Sequence, residues 1–177
     1  MKIIETKIKG LKIIQGKNHY DTRGFFKEIY LKKKLKSHNP IFWCMSKSKK
    51  NVLRGLHLQT KNSQEKFVSV VKGKVLDVIV DLRKNSKTFG KHLKIMLSEK
   101  NAKSVLIPAK CAHGFLGLDD ENIVLYSNNN YRNKASETGI IWNDKQLNIK
   151  WPKKKLLISS KDKKNPSLRE YRIKNRI

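Results

Sequence analysis

The sequence predicts an all-β protein arranged as a sandwich or a barrel. Three observations lead to this fold class: short runs rich in β-branched residues recur along the chain, turn residues separate them, and helix signals are few and short. Hydrophobic residues make up 38% of the 177 residues, a share that is typical of a folded protein. No linker and no long repeat divides the chain, so we expect one domain over residues 1–177.

The predicted strands include VLRGLHLQ at residues 52–59, which alternates like a strand but carries Arg54 and His57. In EKFVSVVKGKVLDVIVDLR, two β-branched runs flank Lys72 and Gly73, which predicts a hairpin that turns at these two residues. Further strands are predicted in four later segments: HLKIMLS, KSVLIPA, NIVLYSNNNY and LNIKWP. Turn residues separate them in KNSKTFG, SEKN, LDDEN and NKASETG.

Helices are predicted only at the margins of this pattern. The best candidate is YLKKKLKSH at residues 30–38, which is short. The C-terminal segment, basic from about residue 153, is predicted to close with a helical turn or to fray.

The charge of the chain is strongly basic: 41 Lys and Arg against 14 Asp and Glu give a formal net charge of +27. An excess of this size is compatible with nucleic-acid binding. Only seven of the basic residues are Arg, the side chain that makes the forked contacts of nucleic-acid readers, and the lysines are scattered along the whole chain. We therefore expect no nucleic-acid partner, but a general attraction for an anionic small molecule.

The sequence also predicts a cytoplasmic protein without a membrane partner. No apolar run approaches the length needed to cross a bilayer. The first residues, MKIIETKIKGLKII, are interrupted by charge every few positions and lack the core of a signal peptide. Cys44 and Cys111 are the only cysteines, too few for a disulfide framework, so free thiols are expected.

The chain does not match the known metal-binding and catalytic motifs. Metal-binding β-barrels often present two histidines two residues apart on one strand, but Gly55 and Gln59 occupy those positions around His57. His113 is the other histidine in a strand-rich context, and two isolated histidines are weak evidence for a metal site. The chain has no G-x-S-x-G nucleophile motif and no Gly-rich phosphate loop. Any nucleotide must therefore be bound by side chains.

Seven segments, taken together and in order, resemble the nucleotide-diphosphate 4-keto-sugar 3,5-epimerase family. They are DTRGFFKE (21–28), SKSKKNVLRGLHLQ (46–59), KFVSVVKGKVLDVIVDLRKNSKTFGK (66–91), IPAKCAHGF (107–115), YSNNNYRNKASETGIIWND (126–144), IKWP (149–152) and SSKD (159–162). The resemblance implies a cupin-type jelly roll (a double-stranded β-helix) with short peripheral helices. It also implies a homodimer, no metal, no cofactor, and proton exchange at C3 and C5 of a nucleotide-diphosphate 4-keto sugar through an enolate.

The same resemblance implies catalytic roles for four residues. His57 would be the base, because an imidazole can take and return a proton at physiological pH, and Asp162 would orient it. Tyr131 would be the acid on the opposite face of the sugar, and Lys66 would favour the enolate charge. His113 would lie near the substrate. From the residues alone, ordinary alternatives stay open: His57 as a hydrogen-bonded core histidine, and Asp162 as a turn aspartate.

Binding residues are implied in the same way. Arg23 and Arg54 would hold the diphosphate, since guanidinium groups match phosphate oxygens. Phe26 and Glu28 would contact the nucleotide base by stacking and hydrogen bonding, and Gln59 would also bind substrate.

The chain departs from the family pattern at two places. Residues 42–44 are Phe, Trp and Cys where the family commonly has a Q-x-N run that helps to hold the base. Arg132 stands where a second tyrosine often follows the catalytic one. The identity of the nucleotide is therefore left open.

Four functions remain in contention on this basis. They are a 3,5-epimerase of a dTDP-4-keto-6-deoxyhexose, a 3- or 5-epimerase of another nucleotide-linked 4-keto sugar, a cupin sugar 3,4-ketoisomerase, and a non-enzymatic binding module. The joint presence of four residues speaks against the binding module: His57, Lys66, Tyr131 and Asp162. The ketoisomerase family tends to carry a further histidine after RG-x-H, where this chain has Leu58 and Gln59.

Overall fold

The structure is a computed structural model that describes residues 1–152 and 155–177. It consists of two large antiparallel sheets, a small hairpin and two short helices. The first sheet contains, in spatial order, β1 (Lys2–Glu5), β2 (Lys12–Gln15), β10 (Lys103–Ile107), β7 (Lys66–Lys72), β12 (Glu121–Asn128) and β5 (Phe42–Lys49). The second contains β13 (Glu137–Gly139), β6 (Val52–Gln59), β11 (Cys111–Gly117), β8 (Lys74–Asp81) and β9 (His92–Ser98), with β14 (Leu157–Ile158) parallel to β6.

The remaining elements lie outside these two sheets. A separate hairpin is formed by β3 (Asn18–Asp21) and β4 (Gly24–Lys27). A 3-10 turn covers Lys134–Ser136, and the helices are α1 (Ser160–Lys163) and α2 (Leu168–Asn175). The all-β prediction is confirmed, and the two facing sheets form a jelly roll with short peripheral helices.

The main core lies between the two sheets, and a second apolar cluster covers the outer face of the second sheet. On β8, Val75 and Ile79 point into the main core, whereas Val78 and Val80 point outward into the second cluster. Tyr171 of α2 completes that outer cluster. Both faces of β8 are thus buried, which explains why its sequence is a nearly continuous apolar run instead of an alternating one.

The predicted hairpin at Lys72 and Gly73 is wrong, although both strands exist. β7 pairs with β10 and β12 in the first sheet, whereas β8 pairs with β9 and β11 in the second. Gly73 carries the chain from one sheet to the other with a φ of +77°, and a Cβ there would lie 2.2 Å from the Glu121 carbonyl oxygen. A glycine is required at this turn for both reasons.

The predicted helix at residues 30–38 is also wrong, because the segment forms a series of turns. Its buried anchors hold it in that form: Leu35 packs in a third apolar cluster, and Tyr30 donates a hydrogen bond to the His38 carbonyl oxygen. Four lysines crowd this segment, and like charges at helical spacing destabilise a helix.

His38 forms a chain of hydrogen bonds that has the residue types of a hydrolase triad. Its Nδ1 lies 2.8 Å from Glu65 Oε1, and its Nε2 lies 2.9 Å from Ser127 Oγ. Ser127 and His38 are completely buried, and Phe67 packs beside the imidazole. The arrangement fastens the 30–38 segment to β12, and a substrate has no access to the serine.

The C-terminal part contains one wrong and one confirmed prediction. LNIKWP is not a strand: Leu147 and Ile149 are buried in the second cluster, and the Asp144 carboxylate accepts the backbone N–H of Leu147 to form a turn. The predicted C-terminal helical turn is present as α2, which begins with a capping box between Ser167 and Glu170. Of the basic segment expected from about residue 153, residues 153 and 154 lie outside the described residues.

No helix among the described residues is long and apolar enough to cross a membrane. Cys44 and Cys111 are both free thiols, as predicted. The cytoplasmic location stays a prediction.

Candidate active site

A cavity of about 850 Å³ opens between the two sheets, a volume suited to a small-molecule ligand. β5, β7 and β12 of the first sheet line one wall, and β6, β11 and β13 of the second sheet line the other, with α1 and β14 beside them. Six of the ten residues proposed from the sequence line the cavity, namely Arg54, His57, Gln59, Lys66, His113 and Asp162. Tyr131 is not among the lining residues, but it directly precedes Arg132, which is.

His57 and Asp162 form a hydrogen-bonded pair in the wall of this cavity. His57 Nε2 lies 2.7 Å from Asp162 Oδ1, although the residues are 105 positions apart in the chain. The imidazole is 40% exposed and the carboxylate only 7%. The histidine therefore faces the cavity while its partner is enclosed behind it.

Several contacts hold Asp162 in place. Its Oδ2 accepts the backbone N–H of Gly55 at 3.1 Å, and its own backbone N–H donates to Ser159, which caps α1. Burial raises the pKa of the carboxyl group, but the hydrogen bonds from His57 and Gly55 and the charge of His57 outweigh burial and hold the pKa below its usual value. Asp162 is therefore ionised.

Gly55 allows the close approach of strands that places His57. Its φ is +122°, and a Cβ there would lie 2.6 Å from the Gly114 Cα on β11. Gly139, opposite His57 on β13, is equally constrained, since its Cβ would lie 2.1 Å from the Leu56 carbonyl oxygen. Glycine is therefore required both at Gly55 in β6, the strand that carries His57, and at Gly139 in the neighbouring β13.

A second histidine–carboxylate pair lies deeper in the cavity. His113 Nε2 is 2.7 Å from Asp77 Oδ2, and both side chains are buried. Tyr126 packs its ring edge-on, 6.1 Å from the His113 ring centroid. Sequence reasoning found His113 but missed Asp77. The signal was available, because Asp77 is the single charged residue inside the apolar run VLDVIV.

The cavity carries an excess of positive charge. Arg54 is oriented by Ser48 Oγ, which accepts from its Nε at 2.8 Å, and by the Lys47 carbonyl oxygen. Lys66 is half-buried, and burial lowers the pKa of its ammonium. The charged residues of the lining are Arg54, Lys66, Arg132, Lys161 and Lys163 against Glu137 and Asp162. The resulting potential favours an anionic ligand.

Tyr131 lies at the rim of the cavity on the segment that follows β12. Its side chain is 67% exposed, and its ring centroid is 6.4 Å from that of Phe42. Gln59 holds the backbone around it: Nε2 donates to the Tyr131 carbonyl oxygen at 3.3 Å, and Oε1 accepts the Asn133 backbone N–H at 2.9 Å. Substrate binding by Gln59 stays a prediction, since its amide is engaged with the protein backbone.

Three predicted binding residues do not reach the cavity of their own chain. Arg23 lies in the β3–β4 turn, where it pairs with Asp21. Phe26, on β4, is 67% exposed, and Glu28 just beyond it is also exposed. The hairpin that carries them contributes nothing to the cavity lining.

The residues that depart from the family pattern take two different positions. Phe42 and Cys44 line the cavity on one face of β5, whereas Trp43 points to the other face and packs against Tyr30. Arg132 lines the cavity and pairs with Glu137. In the part of the chain that the structure describes, no group of three His, Cys, Asp or Glu side chains is arranged to hold a metal ion, and the expected metal independence stays a prediction.

Comparisons with known proteins agree with this geometry. Residues 5–170 match a family model described as dTDP-4-dehydrorhamnose 3,5-epimerase. A relative of that name from Shigella flexneri is 42% identical over 168 residues, covering 92% of this chain and 93% of the relative. A Legionella pneumophila dTDP-6-deoxy-D-glucose-3,5-epimerase, solved with dTDP-4-keto-L-rhamnose, has 38% identity and a TM-score of 0.91, covering 95% of this chain and 93% of that one.

One more distant structure is also similar. It is a 3'-monoepimerase from Streptomyces bikiniensis in complex with dTDP-quinovose, with 26% identity and a TM-score of 0.90. The similarity covers 96% of this chain and 89% of that one.

Proposed function

The chain belongs to the dTDP-4-dehydrorhamnose 3,5-epimerase family, and from this premise we propose that it inverts C3 and C5 of a dTDP-4-keto-6-deoxyhexose. The observation that carries the proposal is the His57–Asp162 pair in the wall of a positively charged cavity. A C–H bond next to a ketone is acidic enough for a positioned base to break it. Inversion then requires that a proton returns to the opposite face of the enolate.

His57 starts the reaction as the base. Because Asp162 is ionised, the shared proton lies on His57 Nε2, which donates to the carboxylate. Nδ1 then has a free lone pair with which to take the proton from the sugar carbon. The imidazolium that forms is stabilised by the carboxylate behind it.

The enolate oxygen at C4 carries the developing negative charge. Lys66, on β7 in the opposite wall of the cavity, supplies a positive group for it. Its half-buried position strengthens this electrostatic contribution, because water screens the ammonium less there than at the surface. The His113–Asp77 pair fixes a further polar group in the cavity.

Tyr131 completes the inversion as the acid. Its exposed ring lies next to Phe42 at the cavity rim, so it can close over a bound sugar from the side opposite to His57. After each inversion His57 holds one extra proton and Tyr131 has lost one. Proton exchange with solvent restores both groups before the second carbon reacts.

The cationic lining suits the diphosphate of the substrate, with Arg54 as the main ligand. The nucleotide is proposed as dTDP because the ligand-bound relatives carry dTDP-sugars. Inversion at a single carbon is the second candidate, since one similar structure is a 3'-monoepimerase. The presence of Phe42 and Cys44 in the lining is the feature most apt to alter sugar or base preference.

The experiment that tests this function is incubation with a panel of 4-keto nucleotide sugars in deuterated water. We expect dTDP-4-keto-6-deoxyglucose to gain deuterium at C3 and C5 and to give inverted product. Deuterium at one carbon only would establish the monoepimerase alternative. A failure to label any sugar of the panel would refute the proposal.

Assembly into a homodimer is part of the proposal. β5 forms an outer edge of the first sheet and exposes Trp43 and Met45, and such an edge is readily covered by association. In the proposed twofold dimer, the β3–β4 hairpin brings Arg23, Phe26 and Glu28 to the partner's cavity instead of their own.

The dimer prediction has two checks. Sedimentation velocity at micromolar concentration should give a dimer, and a monomer would contradict it. In addition, Arg23→Ala and His57→Ala chains, each of low activity alone, should recover about a quarter of wild-type activity when refolded together, since half of the dimers would contain one intact site. No recovery in confirmed mixed dimers would show that Arg23 does not act in the partner's cavity.

Activity is also predicted to be independent of metal. Protein treated exhaustively with a chelator and then assayed in metal-free buffer should keep its full rate. Loss of activity that one specific divalent ion restores would overturn this prediction.

A further inference from the structure

We propose that Glu137 is a positioning residue that holds the acid, Tyr131, in its working place. The proposal rests on the function proposed above for Tyr131. It concerns a residue that neither donates nor accepts the transferred proton.

The starting point is that the Tyr131 side chain is poorly held by its own packing. It is 67% exposed, and its aromatic neighbour is Phe42 at 6.4 Å between ring centroids. The position of its hydroxyl therefore depends on the backbone of residues 131–133 and on what fixes that backbone.

Two side chains fix this segment. Gln59 on β6, which is buried, bonds the backbone on both sides of Arg132. Glu137 on β13 holds the Arg132 side chain: Oε1 lies 2.5 Å from Arg132 Nε, and Oε2 lies 3.2 Å from Arg132 Nη2. This forked, charge-assisted pair anchors the Arg132 side chain, which lines the cavity.

Glu137 also reaches the helix that carries the base's partner. Its Oε2 accepts a hydrogen bond from Lys161 Nζ at 2.9 Å, and Lys161 directly precedes Asp162 in α1. The register of β13 on β6 places Glu137 opposite Gln59. One carboxylate thus joins the segment of the acid to the helix of the dyad.

The carboxylate is charged under working conditions. The hydrogen bond from Arg132 has the largest influence on its pKa, which falls to about 2 with the further help of Lys161 and against the effect of burial. Replacement by a neutral amide would therefore remove a full charge that two cations share.

The consequence should fall mainly on the acid. Asp162 is bonded to His57, Gly55 and Ser159, and none of these three contacts involves Glu137. Tyr131 has no comparable set of side-chain contacts among the described residues. Loss of Glu137 should therefore reduce inversion more than it reduces proton removal.

Glu137→Gln tests this in deuterated water, by comparing inverted product with deuterium exchange that retains configuration. We expect the ratio of inversion to exchange to fall about tenfold or more, since a displacement of about 1 Å in a catalytic group costs on the order of a hundredfold. Glu137→Asp, which keeps the charge, should restore part of the ratio. Arg132→Gln removes the cationic partner of the same ion pair and should lower the ratio of inversion to exchange by a similar factor.

Glu121→Gln is the matched control. Glu121 also pairs with two cations, Lys47 and Lys72, its pKa is also lowered to about 2, and it lies outside the cavity lining. Its replacement should leave the ratio unchanged. An unchanged ratio in Glu137→Gln and Arg132→Gln, even with a lower total rate, would overturn the proposal, and so would an equal fall in Glu121→Gln.

A second measurement separates this proposal from the proposed function. Backbone hydrogen exchange of residues 131–134 should accelerate in Glu137→Gln relative to Glu121→Gln, with a smaller change in α1. If the wild type has no epimerase activity, the proposed function fails, and this measurement alone decides whether Glu137 holds the segment. Unchanged protection of residues 131–134 would then overturn the positioning role.

Discussion

His57 and Tyr131 serve the same reaction in this proposal, but the protein holds them in different ways. His57 lies on a central strand between β11 and β13, and its partner Asp162 is only 7% exposed and fixed by several hydrogen bonds. Tyr131 lies on a loop after β12, with a side chain that is 67% exposed. The base lies on a central strand and is held by a buried carboxylate, whereas the acid depends on polar contacts at the rim of the cavity.

The difference follows from what each group must do. The base becomes an imidazolium beside a carbanion-like centre, so it benefits from a fixed counter-charge and a fixed orientation. The acid has to meet the opposite face of a sugar that enters through the open rim, so it lies where the substrate can pass. The chain's departures from the family pattern, Phe42, Cys44 and Arg132, line the same cavity, and Phe42 and Arg132 adjoin Tyr131. Two of the four departures thus lie next to Tyr131, whereas Trp43 packs against Tyr30 outside the cavity.

The largest expected effect is that of His57→Ala. With no base, deuterium should not enter C3 or C5, and both exchange and inversion should fall by roughly 10⁴, the upper end for a general base. The assay is nuclear magnetic resonance of the sugar in deuterated water. Deuterium exchange at near wild-type rate would show that another group removes the proton. The comparison between a firmly held base and a loosely held acid would then no longer apply to His57.

Asp162→Asn should have an intermediate effect. The amide keeps the shape of the carboxylate but cannot stabilise the imidazolium, so exchange should fall by about 10². The carbon that exchanges should stay the same, because the base itself is intact. Asp120→Asn, which changes a carboxylate that is 94% exposed, is the control and should keep its activity. If Asp162→Asn exchanged deuterium at the wild-type rate, the Asp162 carboxylate would contribute nothing to proton removal by His57.

Asp162→Asn should also change how the stability of the protein depends on pH. The pKa of Asp162 is lowered in the folded protein, so its stabilisation is complete above the ordinary aspartate pKa and is lost as the pH falls through the folded value. At neutral pH the variant should be about 1–3 kcal/mol less stable, since its hydrogen bonds involve a charged group. This difference should shrink as the pH drops below about 4, as measured by denaturant unfolding.

The sequence predicted the interior of the site better than its rim. The β6 strand with Arg54 and His57 was predicted from its alternation, and that strand is present. The pairing of His57 with Asp162 joins residues 105 positions apart, and only the resemblance to a family connected them. Periodicity within a short window carries no information about such a contact.

The errors have physical causes that a local pattern does not show. Two runs joined by Lys72 and Gly73 resemble a hairpin, yet they enter different sheets. Because both strands are buried on both faces, their sequences carry no alternation that would show which sheet each one joins. The lysine-rich 30–38 segment has helical composition, but His38 ties it down through buried hydrogen bonds. Glu137 was not predicted as a site residue because an acidic residue in a turn-rich segment is common. Its pairing with two cations, Arg132 and Lys161, is visible only in the structure.

The most direct test of the contrast is Tyr131→Phe, assayed for exchange and inversion in the same sample in deuterated water. The variant keeps the ring and removes only the hydroxyl. We predict that deuterium still enters through His57, with the configuration retained, while inverted product falls by roughly 10²–10⁴, the value of a positioned acid. Inversion of both centres at near wild-type rate would contradict this and would make Tyr131 a packing residue.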